Sequence, residues 1–334
     1  MAVQSRASQL VTVFGGSGFL GRHVVRALAR RGYRVRAAVR RPDLAGYLQP
    51  LGTVGQVTAV QANLRYPDSV AAAVRDADAV VNLVGILQEK GRQSFSGVQA
   101  QGARAVAQAC AHFGVERLVQ VSALGAAGDS SSRYAVSKAE GEAAVLSLVG
   151  NAVVLRPSIM FGPEDTFFNR FAALVRMLPV LPLAGAETRF QPVFVGDVAE
   201  AIARAIDGQV EGGKVYELGG PEVKTLRELV DYVCEVTGRK RIIAPLPFSL
   251  ARLQAGVMEI VDLLSLGLLP AEFRLTRDQV ALLASDNIVS QAAQDEGRTL
   301  QGLGIAPVAV AAEVPSYLWR FRKSGQFDTA RAGG

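Results

Sequence analysis

The stretch whose reading decides the fold is Leu10–Arg31, LVTVFGGSGFLGRHVVRALARR. Val11, Val13 and Phe14 suit a buried strand, and Leu20, Val24, Ala27 and Leu28 recur at the spacing of one helix face. Between them Gly15, Gly18 and Gly21 form a G-x-x-G-x-x-G loop, with Gly16 as an additional glycine. Gly15 lets the chain turn off the strand, Gly18 lets backbone come up to a pyrophosphate with no Cβ in the way, and Gly21 lets the helix lie close to the sheet. Free N–H groups at the helix start then face an anion. Strand, loop and helix together predict a dinucleotide-binding βα unit, with Gly15, Ser17, Gly18, Phe19 and Leu20 as its nucleotide contacts.

Outward from this unit, strand patterns at Arg34–Val39, Val57–Gln61, Ala79–Val84, Arg117–Val121 and Ala152–Leu155 alternate with helical patterns. The clearest helices are Pro67–Arg75, Phe95–Phe113 and Arg133–Leu148. The alternation predicts an α/β fold, a Rossmann-type doubly wound parallel sheet. From Arg156 the rhythm breaks at RPSIMFGPEDTFF, followed by a helical pattern near Asn169–Met177. Gln191–Ile206 and Val215–Val236 then suggest a return to the sheet followed by helices. The expected organisation is a nucleotide-binding domain over residues 1–156 and a smaller C-terminal, substrate-side region over 157–334, interleaved with the sheet.

The end of the second strand discriminates between nucleotides. An acidic residue there accepts hydrogen bonds from the adenosine ribose, whereas an arginine pairs with a 2′-phosphate. This strand ends Val39-Arg40-Arg41, so Arg40 is the expected phosphate ligand and NADPH is favoured over NADH. The competing reading makes Arg40 and Arg41 solvated loop charges. Asn63 and Leu64 follow the third strand and edge the expected adenine site, and Val84 and Gly85 follow the fourth, where glycine lets a cofactor run close to backbone.

Bulk properties narrow the function classes. The chain has 334 residues and a net charge of +6, with an isoelectric point near 9.5. Its basic residues are scattered, with no run longer than Arg239-Lys-Arg241, so a nucleic-acid partner is not expected. Cys110 and Cys234 read as core thiols of a reducing compartment, and His23 and His112 form no metal spacing, so no metal site is expected. The strand beginning by Leu10 leaves little room for a signal or transit peptide, and the expected location is the bacterial cytoplasm. The apolar stretch Leu246–Leu269 is interrupted by Arg252, Glu259 and Asp262 and does not read as transmembrane. A packed core helix is its first reading, and an amphipathic surface for a membrane or a partner protein its second.

Tyr134 and Lys138 stand four apart on a predicted helix and share one face. An ammonium in that position grips a nicotinamide ribose and lowers the phenol's pKa, which readies the tyrosine to pass a proton as hydride moves. Both are expected cofactor contacts, and the catalytic pair if the protein is active.

The glycine loop, Tyr134-Ala-Val-Ser-Lys138, Leu155-Arg156-Pro157 and Asp197-Val198-Ala199 resemble the extended and atypical short-chain dehydrogenase/reductase superfamily. Narrower similarities lie in Asn82-Leu-Val-Gly-Ile-Leu87, Ser130-Ser-Ser-Arg-Tyr134, Arg156-Pro-Ser-Ile-Met-Phe-Gly-Pro-Glu-Asp165, Phe168-Asn-Arg-Phe171, Gln191-Pro-Val-Phe-Val195 and Leu275-Thr-Arg-Asp-Gln-Val280. These resemble the nucleotide-binding accessory subunits of respiratory complex I, the alpha-subcomplex subunit 9 family and its bacterial homologues. The resemblance implies tightly held NADPH with a structural role, on the matrix or cytoplasmic side of the complex, and complex I subunits near the membrane-arm junction as partners; for a bacterial protein the expected position is peripheral on the cytoplasmic face of the inner membrane, with contact to it. It also adds Ser122, Pro157 and Ile159 to the expected cofactor contacts.

One departure from active members of the superfamily bears on activity. They usually carry the proton-relay serine or threonine two positions beyond Ser122, where this chain has Leu124, which cannot donate to a substrate carbonyl. Ser122 or Ser130–Ser132 could substitute for it, and the interval from Ser122 to Tyr134 leaves little loop for a substrate wall. Arg156, Phe161, Phe167 and Phe168 are open to two readings, docking or pocket residues on the one hand and loop packing on the other. The alternative to an accessory subunit is a free NADP-dependent reductase or sugar-nucleotide epimerase or dehydratase using Tyr134 and Lys138. A third reading is a quinone-pathway or redox-sensing protein of the same fold.

Overall fold

The computed structural model describes residues 6–264 and 276–322. The chain runs through β1 (Leu10–Phe14), α1 (Phe19–Arg30), β2 (Arg34–Val39), β3 (Val57–Gln61), α2 (Pro67–Val74), β4 (Ala79–Asn82), α3 (Gln101–Phe113), β5 (Arg117–Val121), α4 (Arg133–Leu148) and β6 (Val153–Pro157). After β7 (Met160–Phe161), α5 (Phe168–Met177), β8 (Val180–Ala184), β9 (Arg189–Phe190) and β10 (Val193–Phe194) come α6 (Val195–Ile206) and β11 (Val215–Leu218). The described elements that remain are β12 (Lys224–Thr225), α7 (Leu226–Val236), β13 (Ile242–Leu246), α8 (Phe248–Leu264), α9 (Arg277–Leu282), α10 (Gln291–Asp295) and α11 (Val310–Leu318).

These elements fall into two units that alternate along the chain. One unit takes the described residues up to Pro157 with Val195–Leu218 and Val289–Ala306, and the other takes Ser158–Phe194, the described residues from Gly219 to Ile288, and those from Pro307 onward.

The first unit is built on a seven-stranded sheet in the order β11-β6-β5-β4-β1-β2-β3, parallel throughout. A sheet covered on both faces needs strands apolar on both sides, and β1 meets that condition with Val11, Thr12, Val13 and Phe14 all buried. Helices α2, α3 and α4 supply Val70, Val74, Val106, Cys110 and Val145 to a cluster with Phe14, Val80 and Leu118. Helix α1 packs against α6, which also meets β5 and β6. The strand order reverses between β1 and β4, the topological switch point where doubly wound sheets bind ligands beyond the carboxyl ends of their strands. The expected doubly wound parallel sheet is therefore the fold of this unit.

Two of the elements that differ from their predicted extent show why. The fourth strand stops at Asn82, short of Val84, because the Asn82 side chain folds over to accept a hydrogen bond from the Val84 N–H at 3.2 Å. The helix expected from Phe95 opens with a π-helical turn at Ser96–Ala100 before α3 proper.

The second unit has its own core, in which Phe161, Phe168, Val175, Leu229, Val233 and Val314 are buried together. Its strands are short and pair as β7 with β10, β9 with β12, and β8 with β13. Of the two segments expected to return to the large sheet, the one beginning at Val215 does so as β11, paired with β6, whereas the one beginning at Gln191 supplies β10, which pairs with β7. Helix α8 carries most of the apolar stretch read as Leu246–Leu269, whose residues 265–269 lie outside the described residues, as does Leu275 of the Leu275–Val280 motif. Ala251 and Ala255 pack with Ala184 and Val280, and Phe248 lies against the same cluster, while Leu250, Leu253 and Val257 are each more than half exposed. Over residues 248–259 one face is packed, as the core-helix reading expects, and the other is exposed, as the surface reading expects. Among the described residues no helix is long and apolar enough to cross a membrane.

Candidate functional site: a nucleotide cradle at the switch point

The glycine loop hangs between β1 and α1. Gly15 has φ +79°, a left-handed conformation that favours glycine, and its N–H donates to the Ala38 carbonyl of β2 at 3.0 Å. The Gly18 N–H turns back to the Gly15 carbonyl at 2.9 Å. Helix α1 then starts at Phe19 with Gly18 as N-cap, so no side chain caps it and no acid stands in its first turn. The free N–H groups and the positive end of the helix dipole are left for an external anion. The role predicted for Gly21 needs one correction. A Cβ there would overlap the Gly15 carbonyl oxygen and the Gly16 carbonyl group, so the residue brings α1 against the loop; the glycine facing the sheet is Gly16, opposite Ala37 of β2.

Beyond the strand ends a cleft is lined by Gly15, Ser17, Gly18, Arg40, Asn63, Leu64, Val84 and Gly85, together with Phe14, Ala38, Val39, Ala62, Arg65, Leu83, Ile86, Gln93 and Val98. Eight of the expected nucleotide contacts thus meet in one place. Most of the additional residues neighbour the expected ones at the same strand ends, a signal available from the strand assignments. Gln93 and Val98 come from the following segment, for which the sequence holds no such signal. The two arginines after β2 divide their work: Arg41 forms a two-pronged pair with Asp43, at 3.0 and 2.7 Å, and holds that carboxyl below its ordinary range. Arg40 lines the cleft and makes no hydrogen bond or ion pair among the described residues.

Toward the middle of the sheet a run of polar contacts joins the strand ends to α4. Asn82 Nδ2 donates to Gln120 Oε1 at 2.8 Å, and Gln120 Nε2 donates to the Val121 carbonyl at 3.0 Å. Lys138 Nζ donates to the same carbonyl at 3.3 Å and stands 5.9 Å from the Tyr134 ring centroid. Burial draws the Lys138 ammonium down to about 8, against the opposing pull of Glu142. Glu142 is held in turn by Arg156, Nε to Oε1 at 2.9 Å and Nη2 to Oε2 at 2.6 Å. Tyr134 packs edge-on against Phe95 with centroids 5.8 Å apart.

Ser122 is buried and its hydroxyl has no partner among the described residues. A buried hydroxyl left unpaired beside the lysine-bearing helix is the kind of group that a bound ligand satisfies. Ser132, one of the substitutes considered for the relay, accepts from the Ala135 N–H as the N-cap of α4. Leu124 is buried with Val289 and Ala293. Ser122, Tyr134, Lys138, Phe19 and Leu20 belong to the first unit without lining the cleft, and Pro157 ends β6, its carbonyl accepting from the Leu124 N–H at 3.0 Å. Ile159 belongs to the second unit. Phe161 and Phe168 are fully buried in that unit's core with Phe167 packed against it, as the packing reading has it, and Arg156 is committed to an ion pair with Glu142.

An uncapped helix start, glycines where backbone must come close, a free arginine at the second strand's end and an unpaired buried hydroxyl form a cradle that fits a dinucleotide. Residues 11–219 match the model of the NAD dependent epimerase/dehydratase family. The chain belongs to that family. As an epimerase/dehydratase-family member with an NAD(P)-binding Rossmann fold, it is 35% identical over 320 residues to the mitochondrial NADH dehydrogenase (ubiquinone) 1 alpha subcomplex subunit 9 of Arabidopsis thaliana, covering 95% of this chain and 79% of that protein. With the subunit of the same name from Mus musculus it shares 40% identity over 242 residues, 71% of this chain and 64% of the relative. Within the family the chain therefore groups with the alpha-subcomplex subunit 9 proteins of complex I. The fold matches NADPH-dependent quinone oxidoreductase QOR2 of Escherichia coli, solved with NADPH, at a TM-score of 0.71 and 21% identity over 92% of this chain and 99% of that one.

These relatives correct one expectation. Both subunit 9 proteins are mitochondrial, which overturns the bacterial cytoplasm as the location of this family member, and with it the cytoplasmic face of the inner membrane.

Proposed function

We propose that this protein is an NADPH-holding accessory subunit of respiratory NADH:quinone oxidoreductase, complex I, in which the nucleotide serves structure and assembly rather than turnover. The observation that carries the reading is a nucleotide cradle beside a relay position filled by an apolar side chain: Leu124 is committed to packing with Val289 and Ala293, and Ser132, one of its possible substitutes, caps α4. The identity with alpha-subcomplex subunit 9 proteins supports the assignment to complex I. The preference for NADPH rests on Arg40, an unengaged guanidinium at the end of β2. Lys138 and Ser122 are the groups suited to the nicotinamide ribose. The exposed stripe Leu250, Leu253 and Val257 on α8 suits complex I subunits near the membrane-arm junction or peripheral contact with the bilayer.

The test is a native pull-down of the tagged protein from gently solubilised respiratory membranes, with the eluate assayed for nucleotide and for NADH:quinone oxidoreductase activity. Co-elution of complex I subunits with stoichiometric NADPH, and electron transfer nearly unchanged by Tyr134→Phe, is the expected result. A protein that elutes alone removes the accessory role.

A second reading, a free NADP-dependent reductase or sugar-nucleotide epimerase, is favoured by Lys138 lying 5.9 Å from the Tyr134 ring. In that reading a nicotinamide nucleotide would supply the hydride chemistry, with Tyr134 placed to pass the proton and Lys138 to hold the ribose. Turnover of a carbonyl or sugar-nucleotide substrate, abolished by Tyr134→Phe, distinguishes it.

A further inference from the structure

We infer that Tyr47, outside the cleft and outside every motif of the fold, is a positioning residue for the nucleotide: it fixes the peptide that leads the glycine loop into α1. The inference rests on the nucleotide-binding reading above. Tyr47 stands in a 3-10 turn, Gly46–Leu51, that follows β2 and is pinned by the buried Ala45 and Leu48. Its ring is exposed, yet its hydroxyl donates to the Ser17 carbonyl at 2.5 Å.

That carbonyl and the Gly18 N–H are the two ends of one peptide group. The N–H end is already held, donating to the Gly15 carbonyl at 2.9 Å. Tyr47 holds the other end, so the plane of the Ser17–Gly18 peptide is clamped on both sides. The Arg22 guanidinium lies 5.2 Å from the centre of the Tyr47 ring, and the Arg22 N–H donates to the Gly18 carbonyl at 3.2 Å. The tyrosine thus ties the last peptide of the loop and the first turn of α1 to one anchored side chain. The N–H groups that would meet a pyrophosphate follow directly on this clamped peptide, and pre-orienting them removes an ordering cost from binding.

Tyr47→Phe keeps the ring and its arginine contact and removes only the hydroxyl. Full-length wild type and variant are titrated by calorimetry with NADPH and with NADH, and each is melted without nucleotide. The expected result is an unchanged nucleotide-free Tm with dissociation constants for both nucleotides raised by the same factor, roughly three- to tenfold, the size of one net hydrogen bond. Unchanged dissociation constants overturn the inference. A nucleotide-free Tm lowered by several degrees overturns it too, because Tyr47 then serves the fold alone, and so does a rise confined to NADPH, which assigns Tyr47 to the 2′-phosphate. Wild type that binds neither nucleotide refutes the reading of the site, and the inference falls with it.

Discussion

Lys138 shows how one buried residue can set the conditions under which the cradle works. Its ammonium has lost nearly all contact with water, keeps one carbonyl partner, and is drawn down to about 8 by burial while Glu142 pulls the other way. The charged form dominates below that value and is lost as pH rises through it, so under the proposed reading a ribose hydroxyl would meet an ammonium at pH 7 and a neutral amine at pH 9.5. Charge-assisted hydrogen bonds are the stronger kind, and nucleotide affinity is expected to weaken roughly fivefold across that interval. Lys138→Met should bind more weakly and show a flat profile in the same titrations; a variant that keeps the wild-type slope would remove Lys138 from the site. The lysine was legible in the sequence because Tyr134 stands one helical turn before it. Glu142, one turn further along the same helix, was legible on the same ground; the Val121 carbonyl that holds the ammonium and Arg156, which holds Glu142, are brought in only by folding. Leu124 was legible as a departure, but not the packing with Val289 and Ala293 that fixes it.

At the scale of the element, the βα unit of Leu10–Arg30 was readable because each signal in it is local: an apolar run, glycines at fixed spacing, a helical stripe. The 3-10 turn at Gly46–Leu51 was not, because a six-residue turn containing Pro50 has no periodicity to detect. Nor were two-residue strands such as β7 and β10, whose existence depends on a partner some 30 residues away. The contact between α1 and its own loop yields a sharp expectation. Gly21→Ala would drive a methyl group into the Gly15 carbonyl, and the helix start would have to retreat from the loop it serves. The expected cost is about 1–3 kcal/mol in urea unfolding, with loss of nucleotide binding. Wild-type stability in the variant would mean that α1 does not lie as described.

For the whole molecule, the decisive feature is that the first unit is assembled from three separated stretches of chain. β11 covers the outer edge of β6, and α6 packs on α1, yet both follow the residues that form the second unit's first elements. A fragment ending at Pro157 holds the glycine loop, Arg40 and Lys138, but it leaves that strand edge and the α6-facing side of α1 bare. We expect such a fragment to show no cooperative urea transition, whereas the full chain shows one; a sigmoidal transition of ordinary steepness in the fragment would refute this dependence. The same feature bears on how the protein is born. From the end of β6 to the start of β11 a ribosome must add nearly 60 residues, roughly 3 to 12 s at ~5–20 residues per second. Throughout that interval the nascent sheet presents an unpaired parallel edge, with its last strand still unmade, so each molecule passes through a window of seconds in which chaperone capture competes with misassociation.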